Sequence, residues 1–203
     1  MNALGYIITA VAGYLLGSVP FAVIIAKCCG VDIFKVGSGN PGATNVKRTC
    51  GKFAGNLCFL LDAAKGFAAA SFPYWARYLG VDFAPEALRA LVFTGIAGAI
   101  LGHSFSVFVK FRGGKGVAVT IGGLLFAMIV PIFVGLLLWV AVFYASRYVS
   151  LASIVMALSL PIAAFVCYGA AIEFYVALAI AAVIIYRHRG NISRLLKGTE
   201  NRF

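Results

Sequence analysis

The chain has 203 residues, of which 63% are hydrophobic and only 11% are charged, and its mean hydropathy is +1.00. Such a composition leaves too little polar surface to cover a soluble globular domain, so it predicts a multi-pass membrane protein. The formal net charge of +11 could suit nucleic acid, but the cations lie in short loops beside apolar segments. We therefore expect anionic membrane lipid or a phosphorylated substrate, and no nucleic acid, as the partner.

Six apolar segments predict membrane-spanning helices, since a helix satisfies every backbone polar group within lipid. The segments cover residues 4–26, 53–72, 88–108, 116–146, 150–169 and 172–186. The fourth is too long for one ordinary span, and we expect it to cross twice with a reversal near Val130 and Pro131. The resulting fold class is all-α, a polytopic membrane protein with seven transmembrane helices in a single domain over residues 1–203.

Four basic clusters orient these spans, because Lys and Arg favour the cytoplasmic side of a membrane. They lie in residues 27–52, in residues 110–115, at Arg147 and in the tail, 187–202. Seven spans place all four clusters on the cytoplasmic side, with the N-terminus outside and the C-terminus cytoplasmic. A single tilted crossing by 116–146 is the alternative, and it would leave the cations of the tail outside. No cation precedes Lys27, so a cleaved signal peptide is not expected.

The first polar loop combines glycines with hydroxyl and amide side chains. Gly37, Gly39 and Gly42 match the G-x-G-x-x-G pattern, but a membrane span precedes them where a dinucleotide-binding motif needs a strand. The loop suits an anion instead, which backbone N–H groups and a planar guanidinium could bind. A turn without a ligand is the alternative. The candidate side chains are Ser38, Asn40, Thr44, Asn45 and Arg48.

Two opposite charges lie within the second apolar segment. Asp62 and Lys65 are three residues apart, so they share a helix face and can pair. Either charge alone would cost about 2.5 to 3.5 kcal/mol at the centre of a membrane helix, so we expect both to face the interior of the bundle. A structural ion pair is preferred to contact with a substrate. His103, near the end of the third segment, is likewise interpreted as structural.

Residues 110–120 place three cations and three glycines between two apolar segments. Glycine lets backbone N–H groups approach an anion, and lysine adds a full positive charge. The candidates for this role are Gly113, Gly114, Lys115 and Gly116. The segment is not a P-loop, because Val109 replaces the first glycine of that motif and Gly116 replaces its Ser or Thr. A basic loop that only sets topology is the alternative.

Two further polar clusters follow the later spans. Arg147 precedes Ser150 and Ser153, a combination that suits either an anion site or a helix cap with a topology signal. In the tail, His188 lies between two arginines. Neighbouring cations favour the neutral imidazole, which is the form that can accept a proton.

The polar motifs together resemble the bacterial acyl-phosphate:glycerol-3-phosphate acyltransferases, the PlsY family. The resemblance covers nearly the whole chain and rests on GSGNPGATN at 37–45, KFRGGKGVA at 110–118 and HRGNISRLLKGTE at 188–200. Further similar positions are Asp62, Lys65, His103 and residues 147–153. Gly190 and Val119 depart from the family's usual residues, but both lie beside retained polar ones.

The resemblance implies a seven-span protein of the bacterial inner membrane with its active site facing the cytoplasm, in agreement with the topology from charge. It implies transfer of a fatty acyl group from an acyl phosphate to the 1-hydroxyl of glycerol 3-phosphate. The products would be lysophosphatidic acid and phosphate, and no cofactor is implied. A membrane transporter of phosphate esters or other anions is the alternative, since basic loops and broken helices would serve it too. Against it, the polar motifs cluster on one face and the sequence shows no internal repeat.

The resemblance also suggests a role for each candidate residue. Ser38, Arg48 and Lys115 would hold the glycerol 3-phosphate dianion. Contacts to either phosphate are expected from Asn40, Thr44, Asn45, Gly113, Gly114 and Gly116. Arg147, Ser150 and Ser153 would contact the phosphate of the donor. His188 and Asn191 would orient the attacking hydroxyl.

Motifs for covalent or metal catalysis are absent from the sequence. The five cysteines show no metal-ligand spacing, so free thiols and no metal site are expected. The His-x4-Asp acyltransferase motif is absent too, because Phe108 and Ser193 stand five residues after the two histidines. No Ser-His-Asp or Cys-His pair is evident, so direct attack by the glycerol hydroxyl is preferred to an acyl-enzyme.

Overall fold

The computed structural model describes residues 3–203, in which it has ten α-helices and three short 3₁₀ helices. No strand occurs within this described part of the chain, which confirms the all-α prediction. The chain forms two compact units, an N-terminal unit that ends at Ala127 and a C-terminal unit that covers Met128–Phe203.

The N-terminal unit is built around one long central helix. Its α-helices are α1 (Ala3–Ser18), α2 (Phe21–Cys28), α3 (Ala43–Cys50), α4 (Lys52–Trp75), α5 (Leu88–Ser104) and α6 (Val117–Ala127). The 3₁₀ helices are Ala76–Leu79, Pro85–Ala87 and Val107–Val109. α4 packs against each of the other five α-helices, so residues on its faces can reach most of the unit.

Small residues allow α1 and α5 to approach closely. Gly13 faces the backbone of Gly95, and Gly17 faces the backbone of Ala99, so that a Cβ on either α1 glycine would collide. Such contacts are typical of membrane helices, where close van der Waals packing replaces the hydrophobic effect as the cause of association.

The first apolar segment, predicted as one span over 4–26, is interrupted between α1 and α2. Pro20 has no N–H group, and its ring disfavours a helical conformation in the preceding residue. α1 therefore ends at Ser18 and α2 begins at Phe21. The carbonyl groups at this break become available to side chains from other elements.

The C-terminal unit contains four α-helices, α7 (Ile129–Ser146), α8 (Val149–Tyr168), α9 (Ile172–Arg187) and α10 (Arg189–Leu196). α8 packs against α7 and α9, and the short α10 contacts α8 and α9. The tail returns to the loop between α7 and α8, where the backbone N–H of Phe203 donates to the carbonyl of Arg147 at 2.9 Å.

The long apolar segment 116–146 is interrupted at Met128, whose backbone is not helical (φ −146°, ψ 69°). The interruption lies two residues before the reversal predicted near Val130 and Pro131. Pro131 sits in the first turn of α7, where it is tolerated because the N–H groups of a first turn have no partner within the helix. The prediction that this segment is not one continuous helix is confirmed.

Four helical segments of the described chain are long and apolar enough to cross a membrane. They are Ala3–Cys28, Pro85–Val109, Ile129–Ser146 and Val149–Tyr168. The predicted spans 53–72 and 172–186 fall on α4 and α9, which are not among these four, and the apolar α6 has only 11 residues. The chain is therefore a multi-pass membrane protein, while the count of seven spans stays a prediction.

Candidate active site

Asn45 holds the first glycine-rich loop in shape from its centre. The side chain is buried, and its Nδ2 donates to the carbonyls of Ile33 (3.3 Å) and Val36 (3.0 Å) while its Oδ1 accepts from the N–H of Ser38 (3.0 Å). Gly37 has a left-handed backbone (φ 57°), and a Cβ there would collide with the Asn45 carboxamide. The observed side-chain bonds of Asn45 all shape the loop, and its contact with a phosphate stays a prediction.

A hydrophobic cluster anchors this loop to the helices beneath it. Ile33 before the loop and Val46 after it are fully buried, and they pack with Ala26 of α2 and Cys58 of α4. The polar turn is therefore fixed at both of its ends by apolar contacts. Ser38 and Arg48 remain exposed, and Asn40 and Thr44 are partly buried. Arg48 lies in the last turn of α3, where the helix dipole favours a cation.

The second glycine-rich loop folds back onto the end of α5. The N–H of Gly114 donates to the carbonyl of His103 at 3.1 Å, and a Cβ on Gly113 would collide with the same carbonyl. Gly116 has a positive φ of 84° and is buried, whereas Lys115 is partly buried. Glycine is required at 113 and 114 because the backbone passes so close to α5.

The structure brings the two predicted anion-binding loops together. The carbonyl of Pro41, in the first loop, lies 2.9 Å from the position that a Cβ on Gly114 would occupy. The guanidinium of Arg112 lies over the ring of Phe34, 4.3 Å from its centroid, and this cation–π contact links the segments that lead into both loops. Two loops separated by about seventy positions in the sequence are thus in contact within the N-terminal unit.

The predicted ion pair within α4 is confirmed. Lys65 Nζ lies 2.8 Å from Asp62 Oδ1, and the two side chains are 5% and 2% exposed. Lys65 Nζ also donates to the carbonyl of Val19 at 2.8 Å, one of the groups that the break before Pro20 leaves available. The ammonium therefore binds both its carboxylate partner and the interrupted first span.

His103 has more partners than the sequence suggested. Its Nδ1 lies 3.7 Å from Asp62 Oδ1, and its carbonyl holds Gly114. A cavity of about 20 Å³ is lined by all three of these residues, together with Lys65 and Arg112. The sequence signal was the position of His103, seven residues before Lys110, where the basic loop that it contacts begins.

In the C-terminal unit, His188 is held in one tautomer at the junction of α9 and α10. The side chain is buried, and Nδ1 lies 2.8 Å from the carbonyl oxygen of Ile184. A carbonyl can only accept, so in the neutral imidazole Nδ1 carries the proton and Nε2 is the basic nitrogen. Acceptance of a proton by His188 stays a prediction.

Glu200 organises the polar residues around His188, a role that the sequence did not reveal. Its Oε1 accepts from Asn191 Nδ2 (2.6 Å) and Ser150 Oγ (2.8 Å), and its Oε2 accepts from Arg194 Nε (2.7 Å). Burial would raise the pKa of Glu200, but these hydrogen bonds and the Arg194 charge outweigh burial and lower the pKa. The carboxylate thereby fixes both Asn191 and Ser150.

The other two candidates from the α7–α8 region, Ser153 and Arg147, contact residues other than Glu200. Ser153 Oγ donates to the carbonyl of Val149 at 2.8 Å and accepts from the indole N–H of Trp139 at 3.2 Å. Arg147 is exposed, has a left-handed backbone (φ 64°), and ends α7. The observed bonds of Ser150 and Ser153 thus lie within the unit, and contact with a donor phosphate stays a prediction.

The sequence is similar to proteins of one family along almost its entire length. The family model described as glycerol-3-phosphate acyltransferase matches residues 7–198. A glycerol-3-phosphate acyltransferase of Aquifex aeolicus is 46% identical over 205 residues and covers 100% of both chains. One of Carboxydothermus hydrogenoformans is 42% identical over 97% of this chain and 95% of its own.

Solved structures show the same similarity. A crystal structure of PlsY, an integral membrane glycerol 3-phosphate acyltransferase, in its glycerol 3-phosphate form is 41% identical and has a TM-score of 0.86, covering 98% of this chain and 95% of its own. The lysophosphatidic acid form of PlsY has a TM-score of 0.83 at the same identity and coverage.

Proposed function

The chain belongs to the glycerol-3-phosphate acyltransferase family, and we propose that it transfers a fatty acyl group from an acyl phosphate to the 1-hydroxyl of glycerol 3-phosphate. The products are lysophosphatidic acid and phosphate. PlsY has a glycerol 3-phosphate form and a lysophosphatidic acid form, which correspond to the acceptor and the product of this reaction.

The observation that carries the proposal is the meeting of the two glycine-rich loops at Pro41 and Gly114. These loops carry the residues to which we assign the phosphate of glycerol 3-phosphate, namely Ser38, Arg48 and Lys115. Two cations match the charge of a phosphate dianion, and charge-assisted hydrogen bonds to phosphate are among the stronger contacts a protein makes. Asn40 and Thr44, with the N–H groups of Gly113 and Gly116, supply further donors, while Asn45 keeps the first loop in shape. The N–H of Gly114 donates to the carbonyl of His103, so we assign Gly114 only a close approach of the backbone to the phosphate.

The C-terminal unit supplies the groups assigned to the reacting atoms. His188, through Nε2, and Asn191 orient the attacking hydroxyl. Arg147, Ser150 and Ser153 contact the phosphate of the donor, and Arg147 supplies the positive charge. Because Glu200 bonds both Asn191 and Ser150, it holds two of these residues in position.

The reaction proceeds by direct attack. The 1-hydroxyl oxygen bonds to the acyl carbon as the bond from that carbon to the phosphate oxygen breaks, and phosphate leaves. An acyl phosphate is a mixed anhydride, so its leaving group needs little acid assistance and positioning with fixed charge suffices. The hydroxyl proton goes to His188 Nε2 or to a phosphate oxygen of the substrate. The pH–rate profiles of wild type and His188→Asn distinguish the two acceptors. If His188 accepts the proton, its replacement removes the fall in rate at low pH that protonation of this base causes.

One assay tests the function. Purified protein with palmitoyl phosphate and glycerol 3-phosphate should form lysophosphatidic acid without ATP, a metal ion or a carrier protein, and palmitoyl-coenzyme A should not replace the donor. Efficient turnover of the coenzyme A ester or an absolute need for a divalent cation would contradict the donor assignment. Anion flux in proteoliposomes without acylation would support a transporter instead.

We further propose a single integral-membrane domain with seven spans in the bacterial inner membrane, the N-terminus outside and the active site facing the cytoplasm. α4, α6 and α9 would add three crossings to the four apolar segments. Basic residues flanking the spans support this orientation. Single cysteines at Ser38, Lys115, Arg147 and the tail of a cysteine-free variant should react with an impermeant reagent only from the cytoplasmic side, and a cysteine at Asp82 only from outside. Labelling of position 147 from the outside alone would contradict seven spans.

A further inference from the structure

The N-terminal unit contains a buried charged group that the proposed reaction does not use. It consists of Asp62 and Lys65 on α4 and His103 on α5, with side chains no more than 8% exposed. Ionisable groups within membrane segments are costly and mark functional sites more often than structural ones. An apolar pair could pack α4 in this place equally well, since buried ion pairs add little net stability over apolar side chains. We therefore infer that these charged residues do more than hold the helices together.

His103 connects this charged group to the second glycine-rich loop. On one side, its Nδ1 faces Asp62 at 3.7 Å. On the other side, its Nε2 lies so close to Gly114 that a Cβ there would collide, and its carbonyl accepts the N–H of Gly114. The imidazole is thus a spacer between a fixed carboxylate and the loop backbone.

The fixed end of this connection is itself restrained. Asp62 is bound by Lys65, and Lys65 is bound in turn to the carbonyl of Val19 at the break after α1. Asp62 Oδ2 also lies 3.7 Å from Cys58 Sγ. A carboxylate held by this many contacts cannot shift without breaking several of them, so it can define the position of His103.

The other end of the connection is next to a proposed substrate-binding residue. Lys115 directly follows Gly114, and the cavity lined by Asp62, Lys65 and His103 is also lined by Gly113 and Gly114. A displacement of His103 would therefore move the backbone from which Lys115 extends. Displacements of about 1 Å at a binding group can change rates by about 100-fold.

We propose that Asp62, Lys65 and His103 form a positioning group that sets the backbone of Gly113 and Gly114, and through it the placement of Lys115 against the phosphate of glycerol 3-phosphate. The inference rests on the function proposed above. It assigns the three residues to affinity for the acceptor substrate, not to the chemical step or to the acyl donor.

Steady-state kinetics on three variants test it. Asp62→Asn with Lys65→Met removes both charges together, so no unpaired charge remains buried, and His103→Ala removes the spacer. Both should raise the KM for glycerol 3-phosphate about 10- to 100-fold, leave kcat at saturating acceptor within about twofold, and leave the KM for palmitoyl phosphate unchanged. His103→Asn restores a polar group near the position of Nδ1 and should recover part of the affinity.

A purely structural role predicts a different pattern. It would lower the folded fraction, and so reduce kcat per mole of protein with an unchanged KM. Combining His103→Ala with the double substitution should add little to the rise in KM, because both act through one chain of contacts. Thr9→Val is the matched control, since Thr9 is buried in the same unit and its hydroxyl has no hydrogen-bond partner.

The outcomes separate the inference from the function. Absence of lysophosphatidic acid formation by the wild type would overturn the proposed reaction itself. Wild-type activity together with an unchanged KM in His103→Ala would overturn the positioning role. If the double variant fails to fold, the comparison of His103→Ala with His103→Asn decides alone, because neither leaves a buried charge without its partner.

Discussion

Two carboxylates, Asp62 in the N-terminal unit and Glu200 in the C-terminal unit, are buried. Burial of a charge is costly, and different partners compensate it in the two cases. The side chains of Asp62 and Glu200 are 2% and 5% exposed. Asp62 lies within α4 and pairs with Lys65, which is itself buried. Glu200 lies in the tail, and its cationic partner Arg194 has a side chain that is 42% exposed. The two ion pairs have similar N–O distances, 2.8 Å and 2.7 Å. Their interaction energies differ, because solvent screens only the pair of Arg194 with Glu200.

The two carboxylates also differ in the kinds of side chain that they bind. Asp62 compensates one charge and reaches His103, whereas Glu200 accepts hydrogen bonds from the neutral groups of Asn191 and Ser150 as well as from Arg194. Loss of the Lys65 charge would leave the buried carboxyl group of Asp62 without its cationic partner. Loss of the Glu200 charge would leave an oxygen that can still accept its neutral partners.

The largest expected effect is on stability, from Lys65→Met. Removing one partner of a buried pair strands the other charge, and we expect the free energy of unfolding to fall by about 3 to 5 kcal/mol. Unfolding of the purified protein in detergent, followed by circular dichroism against denaturant, measures the change. Asp62→Asn with Lys65→Met should be markedly less destabilised than Lys65→Met alone. If Lys65→Met is as stable as wild type, then the buried pair does not contribute more to stability than the partly exposed pair of Glu200 and Arg194.

A smaller effect is expected at the cations of the N-terminal loops, and it should appear in binding instead of stability. Arg48→Ala and Lys115→Ala each remove a charge-assisted contact with phosphate, which corresponds to about 1.5 to 3 kcal/mol of binding energy. The KM for glycerol 3-phosphate should rise accordingly, while unfolding stays close to wild type. Arg48→Lys should remain poor, because an ammonium lacks the planar fork of the guanidinium. Wild-type kinetics in either alanine variant would contradict the assignment.

The sequence predicted the features that depend on local composition. Apolar segments, the pairing of Asp62 with Lys65 three residues later, and the interruption of 116–146 all follow from hydropathy and helix periodicity. The reversal was predicted near Val130 and Pro131 from the length of the segment and from the cations at its ends, and the helix is interrupted two residues earlier, at Met128. Pro20 carried an equally clear signal, and the break that it causes was missed.

The features that were not predicted depend on distant contacts. Asn45 could have bound a ligand or its own loop, and only the fold shows its bonds to Ile33 and Val36. Ser150 and Glu200 are 50 residues apart, so their hydrogen bond leaves no trace in local pattern. The contact of His103 with Gly114 likewise could not be predicted from the local sequence pattern. A sequence shows where polar residues occur, but the tertiary structure determines which groups they bind.

The smallest expected effect belongs to Glu200→Gln, and it should depend on pH. Glutamine keeps an oxygen for Asn191 and Ser150, so the main loss is the ion pair with a partly exposed Arg194, about 0.2 to 1 kcal/mol. The pKa of Glu200 is lowered in the folded protein, so its contribution is complete above the unfolded pKa of about 4.3 and is lost as the pH falls through the lower folded value. Wild type and variant should therefore differ in stability at pH 7 and converge towards pH 3. Denaturant unfolding at a series of pH values measures this. A difference that stays constant with pH would show that the charge of Glu200 is not what stabilises the tail.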